Sequence, residues 1–262
     1  MKNGYQLSHN GVSSVRYEPR SITYNIDFSE TGEQAGDGLN NKAASIFYGD
    51  GKVHITGGFT QNGSGDPLED VGYLESGTWE EYAVIQVGNY PNEGLFFNSE
   101  LYVVGGFFSP YSRAAKWNGS SWEQVGDGLN GTILSMTVKD DIYVGGGFTT
   151  SVTSGNTLNY VAKLENGEWK GVGGGFNDNV WDITNINGEL YACGDFTQNV
   201  SGETVRRISK LNTTLGKWEE LGNGINNGQA YTIVEYLGDI YVGGSFTNYL
   251  MKLNTQTNTC LF

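Results

Sequence analysis

Amide, hydroxyl and carboxylate side chains are concentrated in three short segments of the chain. These segments are 61–66, 151–156 and 198–203, and each combines Asn with Ser or Thr. Side chains of this kind donate and accept hydrogen bonds, so they suit the polar edges of a glycan or of a protein surface. The candidate ligand-binding residues are Asn62, Ser64, Asp66, Asp127, Asn130, Thr153, Asn156, Asn199 and Glu203.

Some of the Asn residues have a structural explanation instead. A repeated position is occupied by Asn40, Asn130, Asn177 and Asn226. Asn favours turns because its side chain bonds nearby backbone groups. Each of these four is therefore predicted to cap its own turn.

No catalytic constellation is visible in the sequence. The two histidines are His9 and His54, and His54 takes the Tyr position of a repeated strand, which predicts a packing role. Asp195 interrupts a repeated Gly-rich motif but has no partner that the sequence reveals. A glycosidase requires two carboxyl groups at a defined separation. We expect no enzyme activity, and the alternative is a carbohydrate-active enzyme with a carboxylate pair near a central channel.

The sequence predicts neither a metal ion nor a cofactor. Asp37 and Asp127 share a repeated position and offer oxygen ligands for a hard cation. The equivalent positions hold Gly174 and Asn223, so the carboxylates do not form a ring. The two cysteines, Cys193 and Cys260, lack metal-ligand spacing, and a disulfide between them is left open.

A short aromatic motif sets the architecture that positions these residues. It reads Tyr-Val-Gly-Gly-Gly-Phe-Thr at 143–149 and recurs at 54–60, 102–107, 191–197 and 241–247. Its Phe falls at 59, 107, 148, 196 and 246, in steps of 48, 41, 48 and 50 residues. Near-equal steps of this size are typical of propellers and solenoids.

One repeat predicts four strands, at 131–138, at 142–148, at 160–164 and from Trp169 onward. No segment has a sustained apolar period of 3.6, so helix is not expected. The predicted fold is all-β: a five-bladed β-propeller of four-stranded antiparallel blades, over residues 29–262. The repeats are about 36–84, 85–125, 126–172, 173–221 and 222–262.

The repeated aromatic and Gly residues are expected to build the core. Four Trp residues occupy one position of the repeat and are predicted to wedge between blades. They are Trp79, Trp122, Trp169 and Trp218. Residues 84–87 lack the Gly-x-Gly-Leu-Asn pattern of the other repeats, so the second blade should present a different first loop.

The N-terminal region is predicted to take part in closing the ring. Residues 1–28 form an extension without the repeat signature, although 21–28 alternates as a strand does. Residues 32–40 match 122–130, so the chain enters the repeat near a last strand. Residues 29–35 are predicted to complete or lie beside the blade begun by 226–262, and the alternative is a partial sixth blade.

Charge argues against two classes of partner. The chain has 15 Lys and Arg against 29 Asp and Glu, a formal net charge of −14. This balance opposes binding to nucleic acid and to anionic membranes. No stretch approaches the ~18 apolar residues of a membrane span, so no insertion is predicted. Residues 1–6 lack the apolar core of a signal peptide.

The composite pattern resembles the kelch-like propeller group, especially repeats of bacterial surface proteins and of fungal cortical polarity-marker proteins. It runs from Trp122 through 126–130 and 143–149 to 162–164, and the resemblance covers residues 32–262. The resemblance implies the fold but little about function, because propellers host unrelated activities. A sialidase is not expected, because none of the five Arg residues lies in a predicted inner strand.

The sequence thus favours a binding or structural module on a cell surface or virion. Its polar loops would recognise a glycan or a protein partner. A purely structural subunit is the third possibility, with residues 1–28 as the contact to a larger assembly.

Overall fold

The computed structural model describes residues 35–85, 89–254 and 259–261, and at 254 and 259–261 the backbone alone. All regular structure in these ranges is β-strand, as predicted. The strands of blade 1 are β1 (Ala43–Gly49), β2 (Lys52–Gly57), β3 (Val71–Glu75) and β4 (Thr78–Glu81). Those of blade 2 are β5 (Pro91–Phe97), β6 (Glu100–Gly105), β7 (Ala114–Trp117) and β8 (Trp122–Gln124).

The three remaining blades repeat this order. Blade 3 holds β9 (Ile133–Val138), β10 (Ile142–Gly146), β11 (Val161–Glu165) and β12 (Glu168–Gly171). Blade 4 holds β13 (Val180–Ile186), β14 (Glu189–Gly194), β15 (Ile208–Asn212) and β16 (Lys217–Glu220). Blade 5 holds β17 (Ala230–Tyr236), β18 (Asp239–Gly244), β19 (Leu250–Asn254) and β20 (Thr259–Leu261). Each blade is an antiparallel sheet whose strands pair in chain order, which confirms, for the residues that the structure describes, the predicted propeller of five four-stranded blades.

Tight turns join the strands on one side of the molecule. Asn166-Gly167 and Asn187-Gly188 have positive φ at both residues (52° and 79°, 54° and 84°). Two-residue hairpin turns of this kind match the twist of the flanking strands, and Asn and Gly tolerate the left-handed backbone that they need. These short turns therefore lie on the face opposite the longer loops.

The repeated aromatic residues form the core between blades. The motif Phe residues are fully buried, and so are Trp169 and Trp218. The indole N–H of Trp218 donates to the carbonyl of Val172 in the preceding blade at 2.9 Å. Trp169 makes the same bond to Val125 at 3.3 Å. The predicted wedges therefore also hydrogen-bond one blade to the previous one.

A row of polar side chains joins the innermost strands. Glu93 Oε2 accepts the backbone N–H of Met136 at 2.7 Å. The hydroxyl of Ser135 accepts the N–H of Ile183, and Asp182 Oδ2 accepts the N–H of Ile233 at 2.9 Å. In each case the side chain satisfies a backbone group of the next blade, which a buried interface requires.

His54 is a core residue, as predicted. Its ring is completely buried and stacks on Phe47, with 5.3 Å between ring centroids. Its Nε2 lies 2.8 Å from Asp50 Oδ1, and its Nδ1 lies 3.2 Å from the Tyr82 hydroxyl.

Of the segment 29–35, which was predicted to close the ring, the structure describes only Ala35. Residues 1–34 lie outside the described ranges, and with them the extension 1–28 and most of 29–35. β20 already pairs with β19, so the outermost place of blade 5 is filled by 259–261.

The described ranges contain no helix of the length and apolarity that a membrane span requires.

Candidate functional site

The predicted ligand-binding residues lie on one face of the propeller. In an antiparallel four-stranded blade, the start of the first strand and the loop between the second and third strands share one end. We call this end the loop face; in blades 1, 3 and 4 its long loops are 58–70, 147–160 and 195–207. Each predicted residue therefore lies in one of three separate loop clusters, in blade 1, blade 3 or blade 4.

Buried amides hold two of these loops in place. Asn62 is 4% exposed, its Nδ2 donates to the carbonyl of Trp79 at 3.4 Å, and its Oδ1 accepts the N–H of Asp66 at 2.9 Å. Asn199 is 3% exposed and bonds Trp218 and Glu203 in the same way, at 2.9 and 3.1 Å. These hydrogen bonds shape the loops and occupy both ends of each amide.

The blade 3 loop is fixed by Asp127 and Asn156. Asp127 accepts the N–H of Trp169 at 2.9 Å through Oδ1 and that of Ser154 at 3.1 Å through Oδ2. Burial raises the pKa of Asp127, but hydrogen bonds from Trp169, Ser154 and Ser151 outweigh it and leave the pKa below its usual value. The Nδ2 of Asn156 donates to the Trp169 carbonyl at 3.0 Å.

Asn130 is a cap, but over a longer range than the sequence suggested. Its Oδ1 accepts the N–H groups of Thr149 and Thr150 at 2.8 and 3.1 Å, and its Nδ2 donates to the Thr149 hydroxyl. It therefore ties the loop before the first strand to the Phe-Thr end of the motif. In blade 5 this role falls to Asn227, which bonds Thr247.

The assignment of Asn226 to this repeated position was wrong. Its Oδ1 accepts a hydrogen bond from Arg206 at 3.2 Å, and the cap is the next residue, Asn227. Two adjacent Asn residues made the alignment ambiguous by one position.

The other predicted residues are exposed. Ser64, Asp66 and Thr153 face solvent at the tips of their loops. Glu203 is exposed and lies 2.6 Å from the ammonium of Lys217. Lys217, with help from Asn199, holds the pKa of Glu203 below its usual value.

A second group of residues lies where the five innermost strands begin. Every innermost strand has a β-bulge at its start, which leaves one residue out of the ladder. Because these strands surround the propeller axis, the five residues form a ring, which we call the channel mouth. They are Ala44, Asn92, Leu134, Trp181 and Tyr231.

Two aromatic residues of the channel mouth contact each other beside a polar cluster. The Trp181 and Tyr231 rings meet edge to face, with centroids 5.6 Å apart. The Tyr231 hydroxyl donates to Gln229 Oε1 at 2.6 Å, and Gln229 Nε2 donates to Asp195 Oδ1 at 2.8 Å. Arg207 donates to the Asp195 backbone carbonyl at 3.2 Å.

This cluster retains hydrogen-bonding capacity. The indole N–H of Trp181 and the Nε of Arg207 are buried atoms without a hydrogen-bond partner among the described residues. Buried donors are normally paired, and an unpaired one costs about 1–3 kcal/mol. A bound molecule that accepts these hydrogen bonds would remove that cost.

Sequence reasoning identified none of the five channel-mouth residues and only one residue, Asp195, of the polar cluster beside them. Asp195 was noticed because it replaces the Gly of the motif, but its partner Gln229 lies 34 residues away in the next blade. The bulge position of Trp181 depends on the strand register. The one available signal was the departure of Asp195 from its repeat.

The inner carboxylates are committed to the backbone. Glu93 and Asp182 are 8% and 1% exposed and accept the N–H bonds of the neighbouring blades described above. Across the part of the chain that the structure describes, no three His, Cys, Asp or Glu side chains converge as metal ligands.

Comparison with known proteins supports the fold. No protein-family model matches the chain, and no curated protein matches it. One solved structure is the extracellular domain of a protein described as a hybrid two component system, BT4673 from B. thetaiotaomicron. It has 13% identity and a TM-score of 0.58, and the alignment covers 87% of this chain and 29% of that one. The structure of YjhT has 14% identity and a TM-score of 0.49 over 84% of this chain and 83% of that one.

Proposed function

We propose that this chain is a non-catalytic binding module, displayed on a cell surface or virion, that recognises a glycan at the channel mouth of the loop face. The observation that carries the proposal is the Trp181–Tyr231 pair beside the hydrogen-bonded Asp195 and Gln229. Aromatic rings present apolar faces to the C–H groups of a sugar, while amides and carboxylates bond its hydroxyls. Sites of this composition are typical of ligand pockets on rigid scaffolds.

The loops around this site suit the same role. The exposed side chains of Ser64, Asp66 and Thr153 lie at loop tips on the same face. Buried Asn and Asp side chains hold the backbones of these loops in place. Rigid loops lose little conformational freedom on binding, which favours affinity. An extended glycan would contact the aromatic pair first and these tips second.

The display on a surface rests on fold analogy. The structure with a TM-score of 0.58 is an extracellular domain. The polar loops and the net charge of −14 agree with display in water rather than with a nucleic-acid partner.

A glycan-array screen of the purified chain tests the proposal. We expect reproducible binding to one glycan class, and we expect Trp181→Ala to weaken that binding about 10-fold or more, since aromatic anchors dominate binding energies. Leu215→Ala, which removes an exposed apolar side chain on the opposite face, is the matched control and should bind normally.

The outcomes separate the possible functions. Binding that survives Trp181→Ala but is lost when 61–66 or 198–203 is replaced by Gly-Ser would move the site to the loops. No binding across the array would reject the glycan proposal and favour a protein partner. Turnover of a bound glycoside would instead support the carbohydrate-active enzyme.

A further inference from the structure

The five described blades leave two neighbouring sheet faces uncovered. β1 packs on β5, β5 on β9, β9 on β13, and β13 on β17. Between β17 and β1 there is no comparable packing in the described ranges. A gap therefore lies between blade 5 and blade 1, and it is independent of the channel-mouth proposal.

The face of blade 1 that meets the gap is apolar. Ile46 is 69% exposed. Residues at the same position of later blades, Met136, Ile183 and Ile233, are 2%, 0% and 2% exposed because each faces the preceding blade. Blade 1 thus presents a core side chain to a place where no described blade stands.

The face of blade 5 shows the complementary pattern. Val234 is 43% exposed, whereas Leu95 and Thr184, at the same position and facing the next blade, are 8% and 4% exposed. Leu250 is 57% exposed, whereas its equivalent Ile208 is completely buried. Solvent-exposed apolar faces of this kind mark interaction surfaces.

The hydrogen bond of Trp79 indicates what belongs in the gap. Its indole N–H donates to the carbonyl of Ala35 at 3.0 Å. The equivalent acceptors are Val125 and Val172, each of which directly follows the outermost strand of the preceding blade. Ala35 therefore stands where the outermost strand of a blade preceding blade 1 has just ended.

That preceding strand is not part of blade 5. β20 already occupies the outermost place there, with Cys260 opposite Leu253. The pairing repeats that of Trp218 with Leu211 in blade 4. Residues 32–34 match 122–124 of β8 in sequence, and the outermost place of blade 5 is not open to them.

We propose that residues 1–34 pack into the gap between blade 5 and blade 1 as a sixth sheet, with 32–34 as its outermost strand. The segment is long enough, because the whole of blade 2 is built from the 34 residues Pro91–Gln124. Its stretch 22–28 has apolar residues at alternate positions: Ile22, Tyr24, Ile26 and Phe28. These side chains would cover the apolar faces that Ile46 and Val234 present.

Substitutions in the full chain test this occupant. If residues 1–34 cover Ile46, Ile46→Asp buries a charge and should lower Tm by about 6–10 °C or more. Loss of strand propensity alone accounts for about 2–4 °C. Leu215→Asp changes a side chain of similar exposure (61%) in the β15–β16 turn of blade 4, which does not border the gap, and it should lower Tm by less than about 3 °C.

Hydrogen exchange and native mass spectrometry complete the test. We expect a monomer in which amides of 22–28 and 32–34 exchange on the order of 100-fold more slowly than unstructured peptide. The proposal would be overturned if these amides exchange rapidly and Ile46→Asp lowers Tm by no more than the loss of about 2–4 °C expected from strand propensity alone. A dimer that Ile46→Asp dissociates would also overturn it, because a second copy would then fill the gap.

Discussion

At the scale of single residues, one position before the third strand of each blade has an unusual backbone. Asp70, Arg113, Tyr160, Arg207 and Tyr249 all have positive φ, between 61° and 84°. Residues other than Gly rarely adopt this backbone conformation without a compensating contact. Arg113 and Arg207 use it to donate to the carbonyls of Gly106 and Asp195. In the two Arg blades the strain therefore positions a cation on the loop face.

Asp70 occupies this position at a cost in stability. Burial, together with the charges of Glu69 and Glu81, raises the pKa of Asp70 from 3.8 to about 6. A carboxyl group whose pKa is raised in the folded state makes the folded protein less stable as pH rises from about 4 to 6, because the carboxyl ionises at lower pH in the unfolded chain. Because Asp70 is only partly buried, solvent screening reduces the corresponding penalty to about 1–2 kcal/mol at neutral pH.

Asp70→Asn should therefore stabilise the protein. Asn tolerates positive φ, carries no charge and has almost the same shape. We expect the free energy of unfolding at pH 7 to rise by about 1–2 kcal/mol, and the advantage to vanish below about pH 4. Urea denaturation of both proteins across pH 3.5–7.5 measures this. If the difference in free energy of unfolding between the two proteins stays constant over that pH range, the carboxylate of Asp70 does not destabilise the fold.

The same scale shows where sequence reasoning stops. The repeat identified the capping Asn of blades 1, 3 and 4, but in blade 5 it chose Asn226 instead of Asn227. Local bonding rules predicted that each Asn caps its own turn, whereas Asn130 bonds Thr149 at the end of the motif, and only the pairing with Thr247 identifies Asn227 in blade 5. The site around Asp195 was hidden for the same reason, because its contacts cross between blades.

At the scale of elements, the four strands of a blade were predictable because turns and aromatic residues recur. The expected strand 131–138 corresponds to β9. The expected strand 142–148 corresponds to β10, which ends two residues earlier, at Gly146. The bulges of the innermost strands were not predictable. A bulge depends on how two strands pair, and single-strand patterns do not record it.

The polar row along the innermost strands is an element-scale contact that can be tested. Asp182 receives hydrogen bonds from the Ile233 N–H at 2.9 Å, the Thr232 hydroxyl at 3.1 Å and the Ser135 hydroxyl at 3.0 Å. It thereby joins blades 3, 4 and 5. Removing it leaves buried donors unsatisfied and opens a cavity.

Asp182→Ala should lower the free energy of unfolding by about 2–4 kcal/mol. Thr232→Val removes one of the bonds to Asp182 while keeping the side-chain shape, and it should cost about 1 kcal/mol. In a double-mutant cycle, Asp182→Ala with Thr232→Val should cost less than the sum of the two. Additive losses, measured by urea denaturation, would show that the two side chains are not coupled.

At the scale of the whole molecule, charge is the property that the sequence gives most directly. Carboxylates outnumber Lys and Arg by 29 to 15. Several of the cations already lie against carboxylates, as in Lys116–Glu100 at 2.8 Å and Lys163–Asp140 at 3.0 Å. Exposed pairs of this kind contribute about 0–1 kcal/mol each. The net charge of −14 therefore has no compensating cations within the chain.

Self-repulsion should consequently govern how stability responds to salt. Raising the ionic strength from about 0.01 to 0.15 M shortens the screening length from ~30 to ~8 Å, which weakens repulsion among distant carboxylates and the few close ion pairs alike. Because repulsion acts over the whole surface, we expect Tm at pH 7 to rise by a few degrees. At about pH 4.5 many carboxylates are protonated, so the same salt step should change Tm little or lower it. A Tm that falls with salt at pH 7 in differential scanning calorimetry would mean that the ion pairs outweigh the net charge.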